Sequence, residues 1–228
     1  MTNVLYLYGG WPGHSPYDIA DWTRELVGEL GFDIEESQDI FTLDRDLTGY
    51  DLIILGWNNA LTTEDLSDSQ EDHLLEAVEA GTGVAAWHGA AAAFRSSLRY
   101  HLMLGGDFLA HPAGEGYPHP YEVNIVNGDH EVTNGVADFP VASEQYYMSV
   151  DPNNVVLAET TFNGEHFAWL DGLKSPVAWV RNWGKGRVFY HSIGHATADL
   201  AGDDVRLLTR QGIAWAVSSG RCESSTGD

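Results

Sequence analysis

The stretch Gly83-Val84-Ala85-Ala86-Trp87-His88-Gly89 limits the fold more than any other part of the chain. An apolar run of small residues without polar alternation suits a strand covered on both faces, as in a parallel α/β sheet. It stops abruptly at an aromatic, a histidine and a glycine, which reads as a sharp turn. The alanines at 90–93 have high helix propensity and predict a helix directly after that turn. In open α/β sheets the turn between such a strand and helix lies at the carboxyl edge, where ligands bind. His88 is therefore placed where chemistry would be, unless it only closes the strand by bonding its neighbours.

The flanking sequence follows the same alternation. Residues 4–8 read as a first strand, leading into the loop Gly9-Gly10-Trp11-Pro12-Gly13-His14. Ser15 reads as the N-cap of a helix with Pro16 at its first position, Ile19, Trp22, Leu26 and Leu30 at helical spacing, and Gly31 as its stop. Residues 32–36 and 51–56 read as the second and third strands, the third followed by the turn Trp57-Asn58-Asn59. Ser67 and Gln70 form a capping box for an acidic helix carrying Leu74, Leu75 and Val78 and closed by Gly81. Such alternation predicts right-handed crossovers and a parallel sheet. Residues 105–112 read as irregular, whereas 121–126, 143–147 and 155–158 read as strands, with Glu144 and Tyr146 on one face by period two. Residues 176–183 and 187–191 flank Gly184-Lys185-Gly186 as a hairpin. A last helix from about Asp203 carries Val205, Leu208, Gly212 and Trp215 on one stripe. The expected organisation is a single domain over 1–217 with a flexible tail over 218–228. No GxGxxG or Walker pattern follows any strand, so no nucleotide cofactor is expected.

Charge narrows the partners. The 228 residues hold 34 Asp and Glu against 11 Lys and Arg, a net charge of -23, and no Lys or Arg lies between Arg45 and Arg95. Such a surface repels phosphate backbones and anionic lipid, which argues against nucleic acid and membrane as partners. It also suits a high-salt habitat, where a Debye length of about 3 Å at 1 M screens self-repulsion. No apolar run reaches bilayer length, and the chain enters its first strand without a basic or cleavable apolar segment, so a cytoplasmic location is expected. The single cysteine, Cys222, lies in the polar tail, which excludes an internal disulfide and argues against a catalytic thiol.

Four histidines, His14, His88, His111 and His195, lie in or beside turn-like segments next to Gly or Pro. With Glu144 they supply what a site needs for proton transfer or for a divalent metal. Their spacing is not an HExxH or CxxC signature, so the sequence does not itself establish metal binding.

Gly9-Gly10-Trp11 with Gly13-His14, residues 83–89, Phe94-Arg95, Gly105-Gly106 with His111-Pro112, Glu144-Gln145-Tyr146-Tyr147, residues 155–158, and residues 184–188 with Gly194-His195 together resemble the ThuA-like, or trehalose utilisation, family. The resemblance spans residues 4 to about 217. It implies a flavodoxin-like, class I glutamine amidotransferase-like α/β fold: a mostly parallel sheet with helices on both faces and a C-terminal β-hairpin. It also implies that His88 occupies the turn that holds the nucleophilic cysteine in the amidotransferases. With no cysteine there, thiolate glutaminase chemistry is excluded. The family often carries an acid just before the Phe-Arg pair, whereas residues 90–93 here are all alanine, and the expected carboxylate shifts to Glu144.

The resemblance implies a role in metabolism of trehalose or related disaccharides and their 3-keto forms, by isomerisation or cleavage. The candidate catalytic residues are His88, Glu144, His195 and Arg95. Glu144 or a histidine would act as base, His88 and His195 would polarise a carbonyl, and Arg95 would hold a hydroxyl or carboxylate. His14, Trp11, Trp57, Trp87 and Tyr146 are the candidate substrate-binding residues. Zinc or manganese could sit on His14, His111 and His195 with Glu144. Two further readings stand beside this one: a sugar-binding or regulatory module without catalysis, and a structural subunit whose acidic surface and aromatic patches serve assembly. The sequence leaves the oligomeric state open, a homo-oligomer included. Because strand-end turns contribute less packing than core positions, His88→Ala is expected to leave the fold nearly intact.

Overall fold

Strands buried on both faces need a layer of helix on each side, and the chain builds such a sandwich. The computed structural model describes residues 2–58 and 65–217. The tail 218–228, with Cys222, lies outside the described residues. Eleven strands are described: β1 (Asn3–Gly10), β2 (Asp33–Ser37), β3 (Leu52–Asn58), β4 (Gly83–Trp87), β5 (Gly106–Ala110), β6 (His119–Ile125), β7 (Phe139–Ser143), β8 (Tyr147–Val150), β9 (Val155–Thr161), β10 (Lys174–Trp183) and β11 (Gly186–His191). Four α-helices accompany them: α1 (Pro16–Glu29), α2 (Asp68–Ala80), α3 (Leu98–Leu104) and α4 (Asp203–Ala216).

The main sheet has nine strands in the order β2-β1-β3-β4-β11-β10-β9-β6-β7, and β5 pairs with β8 in a separate two-stranded ribbon. From β2 to β11 all pairings are parallel, and from β11 to β7 they are antiparallel. Seven of the nine strands consequently point one way, with β6 and β10 reversed. Alternate residues of each central strand enter opposite cores. Val4, Tyr6, Leu52 and Ile54 join Ile19, Trp22 and Leu26 of α1 and Leu208 and Ile213 of α4. Leu5, Leu7, Ile53, Leu55 and Val84 join Leu74, Leu75 and Val78 of α2 and Met103 and Leu104 of α3. The two-sided burial is the physical reason the strands read as uninterrupted apolar runs. Gly83 and Gly212 let α4 approach closely: a Cβ on Gly83 would lie 1.9 Å from the Ala216 carbonyl oxygen, and one on Gly212 2.2 Å from the Phe189 ring. Among the described residues no helix is long and apolar enough to cross a membrane.

Several local expectations are corrected. The alanines at 90–93 do not begin a long helix. They form only the one-turn 3-10 helix His88–Ala92, because the segment is wholly buried and bends at Phe94, whose φ of 51° is left-handed. Burial overrides propensity here, and α3 starts later. Residues 106–110, read as irregular, pair with β8 through Phe108 and Asp107. The strand read over 143–147 breaks: β7 ends at Ser143, β8 begins at Tyr147, and Glu144, Gln145 and Tyr146 form the buried link between them. Ser15 precedes α1 as expected but has a left-handed φ of 46° and makes no side-chain cap. Trp215 is only half-buried and lies under Arg187, 5.1 Å from its ring centroid, while Ile213 and Ala216 take the core positions. The Ser67 and Gln70 capping box is present as read.

Candidate functional site

Four neighbouring strands of the sheet, β1, β3, β4 and β11, end side by side, and the residues that follow three of them converge. After β1, Gly10 adopts φ 79° and packs so closely on β3 that a Cβ would lie 2.0 Å from the Asn58 carbonyl oxygen. The tight approach turns the chain into the 3-10 helix Pro12–His14 and directs His14 over the sheet edge against the Asn58 side-chain amide. After β4, His88 itself takes φ 45°. A left-handed histidine costs about 1–2 kcal/mol, and its surroundings hold it there: Nδ1 donates to the Ser192 carbonyl at 2.9 Å, and Tyr190 donates to the His88 carbonyl at 2.8 Å. Gly194, at φ 128°, brings His195 in after β11.

Glu144 enters from the other half of the sheet, in the link between β7 and β8. One carboxylate oxygen, Oε2, lies 3.3 Å from His88 Nε2 and 3.9 Å from His14 Nε2, and the other, Oε1, lies 3.3 Å from His195 Nδ1. The Gly116 N–H donates to Oε1 at 2.6 Å. One donor atom from each of His14, His88, Glu144 and His195 lies within 4.8 Å of the others. Because Ser192 offers only an acceptor, His88 carries its proton on Nδ1, and Nε2 accepts from the Tyr146 hydroxyl at 2.9 Å. Glu144 Oε2 and His195 Nδ1 are buried and make no hydrogen bond among the described residues.

The electrostatics follow from this packing. Burial by itself would raise the Glu144 pKa, but the contact with His195, the charge that His88 carries when protonated and the Gly116 N–H outweigh it and hold the carboxyl well below the usual range. Burial first, then repulsion from His88 and His195, pulls His14 down to about 2, so its imidazole is neutral. His195 moves the other way, raised by its contact with Glu144. Burial drives the Tyr146 hydroxyl far above its ordinary value and keeps it a proton donor.

Beside Glu144 and His195 opens a cavity of about 690 Å³, walled by Phe139, Val141 and Val205 with Asp199 and Asp203 at its margin; among the described residues no Lys or Arg lines it. A small void of about 20 Å³, the size of a water molecule, touches His14, Asn58 and His88.

The remaining candidates separate. His111 stays outside the four-residue group, its ring 6.5 Å from that of Tyr146. Arg95 turns away to Asp107 at 3.3 Å and the Phe108 carbonyl at 2.5 Å, lining a different cavity with His101. Trp11 lies edge-on to His14, with ring centroids 4.8 Å apart, and borders the site. Trp57 and Trp87 are core residues: Trp87 stacks on His191 and meets Trp22 edge-on, so neither offers a free ring face to a sugar. His88, expected in a loosely packed turn, is 1% exposed and bonded on three atoms, so its replacement is not structurally neutral. Asn58, Gly116, Tyr190 and Ser192 support the site without having been singled out from sequence.

The ThuA family model, described as trehalose utilisation, matches residues 3–216. No curated protein matches the chain. Among solved structures it is similar to a ThuA-like protein from Parabacteroides merdae at 18% identity, with a TM-score of 0.79 over 100% of this chain and 93% of that one. A ThuA-like protein from Bacteroides uniformis follows at 21% identity and a TM-score of 0.75, covering 96% and 92%. A β-galactosidase from Rahnella sp. R3 is similar at 17% identity and a TM-score of 0.53, covering 95% of this chain but 30% of that one. At such identities the likeness is one of fold.

Proposed function

The chain belongs to the ThuA, or trehalose utilisation, family, and on that premise we propose that it is an enzyme acting on an unphosphorylated disaccharide or keto-sugar, by isomerisation or cleavage, at the Glu144 and histidine cluster. We read it as one cytoplasmic domain over 1–217 of the flavodoxin-like, amidotransferase-like class. The observation that carries the reading is a buried, ionised Glu144 facing three imidazoles at the end of a cavity of about 690 Å³. Carboxylates line that cavity and, among the described residues, no Lys or Arg does, which favours neutral polyols over sugar phosphates.

A carboxyl held far below its usual pKa is a weak base at neutral pH, so Glu144 acts as a fixed negative charge rather than as the proton acceptor. Three imidazoles and one carboxylate, with Glu144 Oε2 and His195 Nδ1 buried and without a hydrogen bond among the described residues, fit a zinc or manganese ion held by His14, His88, Glu144 and His195. Such an ion supplies polarisation of a substrate carbonyl or hydroxyl oxygen. The chain's own groups prepare the site. Ser192 sets the His88 tautomer, Gly116 orients Glu144, and His14 stays neutral. The Tyr146 hydroxyl proton rests on His88 Nε2 in this structure; displaced from there when Nε2 holds an ion, that proton would be left to meet negative charge developing on a substrate oxygen. With no ion bound, His195, at the boundary between cluster and cavity, would be the group to exchange a proton with substrate.

The test is a panel of unphosphorylated disaccharides, their 3-keto derivatives and the matching sugar phosphates, followed by proton NMR. Turnover of an unphosphorylated sugar alone is expected, falling at least about 100-fold in Glu144→Gln. Saturable sugar binding with no turnover at any metal loading would reassign the chain as a binding module.

A further inference from the structure

We propose that His119, Glu165 and His166 form a second divalent-metal site, of zinc class, that ties β6 to the connection between β9 and β10. No residue is shared with the cluster around Glu144. One donor atom from each of the three lies within 4.8 Å of the others, and the two imidazole rings meet nearly at right angles, with centroids 5.1 Å apart.

The backbone aims these side chains at one point. His119 opens β6 and is buried, 8% exposed, opposite Ser143 of β7. Glu165 and His166 follow Gly164, whose φ of 71° reverses the chain where a Cβ would collide with Asp171 at 2.7 Å. Asn163 Oδ1 accepts from the Glu165 N–H at 2.9 Å and fixes the bend. Among the described residues none of the three side chains forms a hydrogen bond or an ion pair. Two imidazoles and a carboxylate thus lie together with nothing engaging their donor atoms.

A tetrahedral zinc ion with bonds of about 2.0–2.2 Å requires donor atoms roughly 3.3–3.6 Å apart. Exposed Glu165 and His166 can close that difference by rotamer changes that break no bond, while His119 stays as the fixed ligand. Two nitrogen donors select zinc, copper or nickel over the oxygen-seeking magnesium and calcium. Three protein ligands leave a coordination position for water. The connection that carries Glu165 and His166 also lines a small void together with Gln145, next to Glu144, so the ion would stiffen the wall behind the candidate active site.

The experiment compares zinc bound per chain, and zinc affinity, for the wild type, His166→Ala and Glu165→Gln, with magnesium as control. Both altered residues are exposed, so the variants are expected to fold, which circular dichroism verifies. The expected result is one zinc equivalent fewer in His166→Ala, at least about tenfold weaker binding at that site in Glu165→Gln, and no competition from magnesium. Anomalous density at the zinc edge between His119 and His166 locates the ion. Unchanged zinc stoichiometry and affinity in both variants overturn the proposal. The sugar assay reads the other cluster, so the two readings fail separately.

Discussion

His191 is fully buried and donates Nε2–H to the Thr209 hydroxyl at 3.0 Å, since that hydroxyl gives its own proton to the Val205 carbonyl. Burial, and then the neighbouring His88, pull its pKa down to about 3. The folded state therefore refuses a proton that the unfolded state accepts near pH 6.5. Stability is fully present above that pH and is lost as pH falls toward 3, at about 1.4 kcal/mol per pH unit for this group. We expect His191→Gln to flatten the acid limb of the stability curve by up to that slope, read from urea melts between pH 6 and 4; an unchanged slope would sink the assignment. His88→Ala is expected to cost about 1–3 kcal/mol, because it strands the Ser192 carbonyl and the Tyr146 hydroxyl. His14, His88 and His195 were legible in the sequence because each follows a strand that any reader of apolar runs can locate. Ser192, Tyr190 and Gly116 were not, since a contact such as His88 with Ser192 joins positions 104 apart and leaves no local pattern.

Elements were readable where their ends carry chemistry. The Ser67 box and the Gly81 stop mark α2, and the glycine-lysine-glycine turn separates β10 from β11. The short β5 and β8 were missed or blurred because their pairing is with each other across some forty residues, which no periodicity records. The link between α2 and α3 was equally hidden. Glu71 Oε1 accepts the Tyr100 N–H in the first turn of α3 at 3.0 Å, and Oε2 accepts Arg99 Nε at 3.0 Å. Removing that carboxylate leaves a buried helix-end N–H without a partner. Glu71→Ala should lower stability by about 2 kcal/mol, seen as a lower urea midpoint at constant slope. A loss as small as that of an ordinary exposed acid would show that the two helices are held by packing alone.

At the scale of the whole molecule, 34 acids face 11 bases, so at least 23 carboxylates have no Lys or Arg of their own. Each like-charge neighbour pair on a helix costs a few tenths of a kcal/mol, and a dozen such pairs sum to roughly 3 kcal/mol. A domain of this size shifts about 2–4 °C per kcal/mol. The melting temperature is thus expected to rise by roughly 6–12 °C between dilute buffer and molar potassium chloride; coincident melts would reduce the acidity to a solubility feature. The sheet order has a consequence for the timing of assembly. β11 enters between β4 and β10, pairing residues 188–191 with 84–87 after about a hundred intervening positions. Closing so long a loop precedes any gain from the contacts it makes, and non-local pairings of this kind are slow. A chain emerging from the ribosome as far as β10 already holds ten of the eleven described strands, yet neither Ser192 nor His195 has been synthesised. The polar cluster is therefore acquired in the same step that completes the sheet, and its appearance serves as a clock for the end of folding.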